Sequence, residues 1–390
     1  MSGPLAGIRV IDLTTIVMGP YATQILGDMG ADVVKIECPA GDIFREVAPF
    51  RNRGMGAAFL NVNRNKRSLA LNLELDEDKQ IILRLLARAD VFIYSLRPRS
   101  LQKFGLDYDN LLERNPRLIH CGVYGFSEQG PYRGRPAYDD VIQAMSGTAS
   151  LEGRNQPDGP KFVNTIMADK IAGLSATYAI ASALYERERS GLGQAIEVPM
   201  FETLVSFNMI EHLSGETFCP ALGPMGYDRV LSPQRRPYRT KDGYIALMPY
   251  NTAQWQRFFE IAGKSQHTAD VRFTDHAARS NNIDELYRIL AEILIERSTA
   301  EWIRLLEAAD IPLAPVLSPE ELLEDVHLQT LRFFQHDTHP SEGEIRTVSS
   351  PVRFSRTPAT VERLAPRLNE HRVEILKEIT RLDPPDSGDR

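Results

Sequence analysis

The chain has 390 residues and a formal net charge of −7 at pH 7, with 43% hydrophobic and 25% charged residues. This is ordinary globular composition, and the length exceeds what one hydrophobic core usually organises, so two domains are expected. The acidic balance excludes a basic nucleic-acid scaffold but leaves room for a local basic pocket around a phosphorylated ligand.

The N-terminal "MSGPLAGIRVIDL" has no basic segment followed by a long apolar one, so no signal peptide is expected. "IRVIDL" reads as a buried strand, "YATQILGDMG" as a short helix ending at Gly30, and "DVVKIE" as a second strand. "EDKQIILRLLARA" has helical periodicity and leads into the strand "DVFIYS". "YDNLLERNP" is a helix stopped by Pro116, and "RLIHCGVYGF" is a strand again. Such alternation predicts parallel α/β layers, and the continuous apolar runs suit a sheet covered on both faces. A long helix should follow Asp169, with Leu174, Tyr178, Ala181 and Tyr185 forming its apolar face. "QAIEVPM" closes the α/β part as a further strand.

After Cys219 the segment "CPALGPMGYDRVLSPQRRPYRTKDG" is rich in Pro, Gly and Arg, marking a linker or functional loop. The strand "YIALMPY" and the amphipathic helices "WQRFFEIAG", "IDELYRILAEILIER" and "TAEWIRLLEAA" predict a smaller domain. The strand-like "SSPVRFS" is expected to return to the first domain. The tail "LDPPDSGDR" should fray. No stretch is apolar for long enough to span a bilayer.

The three cysteines, Cys38, Cys121 and Cys219, are far apart and form no CxxC or Cys/His cluster. No metal site or disulfide framework is expected, and the pattern fits a reducing cytoplasm. The first strand–helix turn carries Gly19 and Pro20 instead of a glycine triplet, so a nicotinamide dehydrogenase lacks its fingerprint. Arg45, Arg51, Arg53, Arg64, Lys66, Arg67, Arg97, Arg99 and Lys103 gather in the first domain. They suit either a ligand with several phosphates or an ordinary solvated surface. Asp169 reads as a helix cap. Its place at a helix start also favours the ionised carboxylate, which can act as a nucleophile. Tyr138, Asp139 and Asp140 open another helical run, and His120 reads as a satisfied core histidine.

Taken in order, "PLAGIRVIDLTTIVMGPYATQILGDMGADVVKIE", "GDIFRE", "NRNKRSLALNL", "ADVFIYSLRPRSLQKFGLDYDNL", "NPRLIHCGVYGFSEQGPYRGRPAYDDVIQAMSG", "GLGQAIEVPMFETL", "RRPYRTKDGYIAL" and "IPLAPVLSPEELLEDVHLQ" resemble the family III CoA-transferases, the group of formyl-CoA and carnitine CoA-transferases. The resemblance covers nearly the whole chain. The pattern of elements gives a Rossmann-like large domain over residues 1–225, completed by 325–390, and a smaller α+β domain over 226–324, and the two-domain architecture that the resemblance implies agrees with this split. The resemblance also implies an interlocked homodimer. Asp169 becomes the catalytic nucleophile. Contacts to CoA are carried onto Val17 and Met18, onto Leu71, Asn72 and Leu73, and onto Ser95, Leu96, Arg97 and Lys103. Ala137, Tyr138 and Asp139 complete the set. Coenzyme A or acyl-CoA is then a substrate, with no tightly bound cofactor, and the second partner is a small carboxylic acid. Arg235 and Arg236, read from their own loop, suit a carboxylate or phosphate, a dicarboxylate such as succinate among them, or equally acidic residues across a subunit interface.

The implied chemistry is attack of the Asp169 carboxylate on an acyl-CoA thioester, passing through an anhydride to an aspartyl-CoA thioester. Two departures stand out. Cys38 follows the "KIE" strand where some members carry Arg, which removes one phosphate contact. The small-domain loop lacks the glycine run of oxalate-using members. An acyl-CoA racemase on the same fold is the alternative, opposed by Ala137 and Tyr138 where racemases place His. A non-catalytic acyl-CoA binding protein is another.

Overall fold

The computed structural model describes residues 2–382, so the tail expected to fray lies, from residue 383 on, outside the described residues. Two compact units emerge. The first comprises Met1–Ala149, Phe162–Phe207 and His327–Arg390, and the second Ser150–Lys161 and Asn208–Val326. Residues 150–161 and 208–225, expected in the large domain, belong to the second unit. Local hydrogen bonds explain this: Asn155 Nδ2 donates to the Leu231 carbonyl at 2.8 Å, and the Gly226 N–H donates to the His212 carbonyl at 2.8 Å.

The first unit is built on six strands: β1 (Arg9–Leu13), β2 (Asp32–Glu37), β3 (Lys66–Ala70), β4 (Val91–Tyr94), β5 (Ile119–Tyr124) and β6 (Gln194–Pro199). All pair in parallel, in the order β3-β2-β1-β4-β5-β6. Side chains alternate between two cores. Val10, Val33, Val91 and Ile93 enter one, while Ile11, Val34, Phe92 and Tyr94 enter the other. This period of two explains why the strands read as continuous apolar runs: both faces are covered.

β3 is absent from the sequence-based expectations, because "KRSLA" looks polar. Its polar residues are buried through partners remote in sequence. Lys66 Nζ lies 3.1 Å from Asp12, Arg67 pairs with Asp32 at 2.7 Å, and Ser68 Oγ donates to Glu37 at 2.7 Å. Beyond β3, the C-terminal segment closes the sheet edge, with the Ala70 N–H donating to Asn369 Oδ1 at 2.9 Å and Ile375 buried in the core. "SSPVRFS" forms no strand. The antiparallel hairpin β10 (Phe334–His339) and β11 (Gly343–Val348) ends just before it, and Pro351 has no N–H to extend a ladder.

The helix after the Asp169 segment spans Met167–Ser190, but its expected apolar face is reversed. Leu174, Tyr178 and Tyr185 are 49%, 66% and 70% exposed, while Ala168, Ala172, Gly173, Ala176 and Ile180 face the core. Small residues win the inward face because the helix Met18–Asp28 approaches so closely. A Cβ on Gly173 would lie 2.7 Å from the Met18 carbonyl oxygen.

In the second unit, β7 (Tyr238–Arg239), β8 (Tyr244–Leu247) and β9 (Leu313–Pro315) form an antiparallel sheet. Helices Thr252–Ile261, Ile283–Leu294 and Thr299–Glu307 bring Trp255, Phe258, Leu286, Leu290 and Trp302 into one core. Two of these helices open with capping boxes, Asn251 with Gln254 and Ser298 with Glu301.

Candidate active site

The strand order reverses between β1 and β4, and in open α/β sheets ligands bind at the carboxyl ends beside such a switch. A cavity of about 350 Å³ lies there. Leu71, Asn72, Leu73, Ser95 and Leu96, five residues that the sequence resemblance assigns to CoA contact, share its lining. Cys38, which stands where some members carry Arg, lines it too, and Thr15, Glu37, Asp42, Glu74 and Phe104 join them without a signal in the sequence. Val17 and Met18 are buried where the turn enters its helix, and they do not line this cavity. Arg97 and Lys103 stay outside it as well. Arg97 is exposed and donates to the Gly134 carbonyl at 3.4 Å, while Lys103 pairs with Glu74 on the rim at 2.7 Å. An exposed pair of that kind is worth little and can open to an incoming anion.

The basic cluster divides. Arg45, Arg64 and Lys66 are committed to buried carboxylates and Arg67 to the partly buried Asp32, so these four are not open to a polyphosphate. Arg45 clamps Glu37 through two bonds of 2.7 and 2.8 Å. The turn after β1 contains Ile16 at φ 71°, a conformation a β-branched residue rarely adopts. Asp42 holds it by accepting the Ile16 N–H at 3.2 Å, and Lys35 bridges Asp42 at 3.0 Å to the Thr14 carbonyl at 2.9 Å.

Asp169 sits in the first turn of its helix, but it is not the cap, since Ile166 holds that position. Its own N–H is capped from another helix. The N–H donates to Asp139 Oδ1 at 3.1 Å, and Asp139 Oδ2 accepts from Gln143 Nε2 at 2.5 Å. Gln143 in turn accepts the Val163 N–H at 2.9 Å, fixing the approach to Asp169. Asp139 is buried, so its carboxylate lies beneath Asp169 and not on an open CoA surface. Neighbouring Tyr138 is 68% exposed, and Ala137 packs under Gly125, where a Cβ would lie 2.4 Å from the Ala137 methyl.

The electrostatics oppose the sequence expectation. Burial, followed by the Asp139 charge, pushes the Asp169 carboxyl up to about 7. A helix start favours the anion by only about 0.3–1 kcal/mol, while desolvation moves buried carboxyls by several pH units, so burial dominates. His120 behaves as expected: it is buried, its Nε2 lies 3.0 Å from the Leu106 carbonyl, and burial holds it neutral.

A doubly wound sheet with a cavity at its switch point and a half-buried carboxylate of raised pKa defines an α/β enzyme acting on a ligand at the carboxyl edge. The chain belongs to CoA-transferase family III, whose family model matches residues 5–372. It is 33% identical to the succinate-glutarate CoA-transferase of Agrobacterium fabrum, over 97% of this chain and 96% of that protein. It is 32% identical to the succinyl-CoA:mesaconate CoA-transferase of Haloarcula hispanica, over 96% of each. The crystal structure of a CAIB/BAIF family protein from Brucella suis aligns with a TM-score of 0.82 at 30% identity, covering 97% of this chain and 100% of that one. The protein is therefore a CoA-transferase, an enzyme that passes CoA from an acyl-CoA thioester to a carboxylic acid.

Proposed function

We propose that Asp169 is the covalent nucleophile and that the enzyme moves CoA from succinyl-CoA to a second dicarboxylic acid. The observation that carries this reading is the Asp169 carboxyl itself, half-buried, anchored through Asp139 and desolvated enough to exchange a proton near neutrality. A desolvated carboxylate is a stronger nucleophile than a hydrated one. The ionised carboxylate attacks the thioester carbonyl carbon. The C–S bond breaks, and CoA leaves as the thiolate with a mixed anhydride on Asp169. The thiolate attacks the Asp169 carbonyl, the donor acid departs with the electron pair of the broken C–O bond, and an aspartyl-CoA thioester remains. The acceptor carboxylate runs the same steps in reverse. A carboxylate suits this exchange because its anhydride and thioester lie close in energy to the substrates.

CoA is a substrate here, and no resident cofactor enters the scheme. Its contacts come from the cavity of Leu71, Asn72, Leu73, Ser95 and Leu96 and from Lys103, which pairs with Glu74 of the cavity lining, with Arg97, Val17, Met18, Ala137 and Tyr138 added by the family resemblance. The relatives' action on succinyl groups with glutarate or mesaconate supports succinyl-CoA as donor. The working form is a homodimer in the cytoplasm, interlocked as the family resemblance implies. The outward stripe of Leu174, Tyr178 and Tyr185 supports a covering copy, since so much apolar surface on one helix gains by burial.

The test is intact-protein mass after incubation with a panel of acyl-CoA thioesters, with Asp169→Ala alongside. A CoA-sized adduct on the unaltered enzyme alone, strongest with succinyl-CoA, is the expected result. An adduct that survives Asp169→Ala would overturn the assignment.

A further inference from the structure

The second unit carries a concave site of its own, about 540 Å³ in volume. Three guanidinium groups, Arg229, Arg235 and Arg236, and two phenols, Tyr238 and Tyr287, line it, and no carboxylate does. Leu247, Met248 and Leu313 supply apolar wall. A few convergent polar groups on apolar walls are what a small-molecule site consists of.

Arg229 is held by its side chain, whereas Arg235 and Arg236 are exposed and reach the cavity from the turn that carries them. Arg229 donates to the Tyr287 hydroxyl at 3.2 Å, and its guanidinium lies 5.8 Å from the Tyr227 ring centroid. The Arg235 N–H donates to the Ser232 carbonyl at 3.1 Å, and the Ser232 hydroxyl donates to Asp284, which ties this turn to the helix Ile283–Leu294. Tyr238 is buried, with its ring 6.3 Å from that of Tyr287. Among the described residues, no Asp or Glu forms an ion pair with Arg229, Arg235 or Arg236. Elsewhere in this unit Arg272 pairs with Asp270 at 2.7 Å and Lys264 with Glu296 at 2.9 Å, so what sets the three apart is that they share one cavity. Three guanidiniums around one cavity, with no carboxylate in its lining, give it the charge and the forked donors that a carboxylate takes up.

We propose that this cavity binds a dicarboxylic acid, of the kind the transfer consumes. The carboxylates engage the forks of Arg235 and Arg236, with Arg229 as the third cation, and the methylene chain lies on Leu247, Met248 and Leu313. A monocarboxylate of equal length leaves a guanidinium without its anion. A phosphate ester would satisfy the cations but would waste the apolar wall. The proposal rests on the CoA-transferase reading, and its test separates the two.

Glutarate and its chain-matched monocarboxylate valerate are titrated by calorimetry into Asp169→Ala protein, where no turnover complicates binding. Glutarate is expected to bind and valerate to bind at least about 10-fold more weakly. Arg235→Ala with Arg236→Ala, made in the same background, should weaken glutarate by about 10- to 100-fold and leave valerate and CoA unchanged, with an unaltered melting temperature. Arg235→Lys with Arg236→Lys keeps charge without the fork and should recover part of the loss. Glutarate binding unaffected by loss of both arginines overturns the proposal. So does a loss confined to CoA, which would make the cavity a phosphate site. Failure of the unaltered enzyme to form a CoA adduct would instead count against the Asp169 mechanism, and the glutarate titration would still decide the cavity.

Discussion

Asp169→Asn is expected to abolish transfer and yet stabilise the protein, by an amount that depends on pH. The native Asp169 carboxyl is raised from 3.8 to about 7, so the folded chain holds this proton more tightly than the unfolded chain. Below about pH 4 both states are protonated and the group has no effect. Between about pH 4 and 7 the unfolded carboxyl ionises while the native one resists, and native stability falls by about 1.4 kcal/mol per pH unit. Above about 7 the loss levels off, on the order of 4 kcal/mol as an upper limit and about 2 kcal/mol once solvent screening of a half-buried carboxyl is allowed for. Asn keeps the shape, and its N–H still donates to Asp139, but it cannot ionise. Thermal melts of both proteins at pH 4.5 and pH 8 make the comparison. The variant should melt close to the unaltered protein at the lower pH and several degrees above it at the higher. A difference that does not grow with pH, or that changes sign, would refute the claim that burial and Asp139 raise this carboxyl.

Three further outcomes follow from the same geometry. Asp139→Asn keeps the hydrogen bond to the Asp169 N–H and removes the like charge, so the acid limb of the pH profile of kcat/KM should move below about 7 while burial keeps it above 3.8. Gly173→Ala places a Cβ 2.7 Å from the Met18 carbonyl, and the two helices must separate. A loss of about 1–3 kcal/mol in denaturant melts, with a higher KM for CoA, is expected. Tyr178→Lys together with Tyr185→Lys puts charge into the outward apolar stripe, and, if a second copy covers that stripe as proposed, the assembled form should melt at a lower temperature than the unaltered protein.

The sequence went far where physics is local. "IRVIDL", "DVVKIE" and "DVFIYS" are apolar without interruption, which only a strand covered on both faces requires, and they became β1, β2 and β4. The five residues from the segments after β3 and β4 met in one cavity because parallel strands deliver their carboxyl ends to the same edge. His120 was legible as a core residue for the same reason.

What only the tertiary structure decided depends on groups remote in sequence. β3 was hidden because Lys66, Arg67 and Ser68 are buried only by grace of Asp12, Asp32 and Glu37, and a charge can leave water only when its partner arrives from elsewhere. The long helix could be found from its pattern but not its inward face, since close approach to Met18 favours Ala and Gly over the larger side chains. The three arginines are visible in the sequence as charges, whereas their shared cavity and lack of carboxylates are not. Asp169 was named from the resemblance, but the direction of its titration was set by burial and by Asp139, thirty positions away in sequence and one hydrogen bond away in space. Composition and periodicity report what each residue is. The free energy of a carboxylate depends on what the fold places around it.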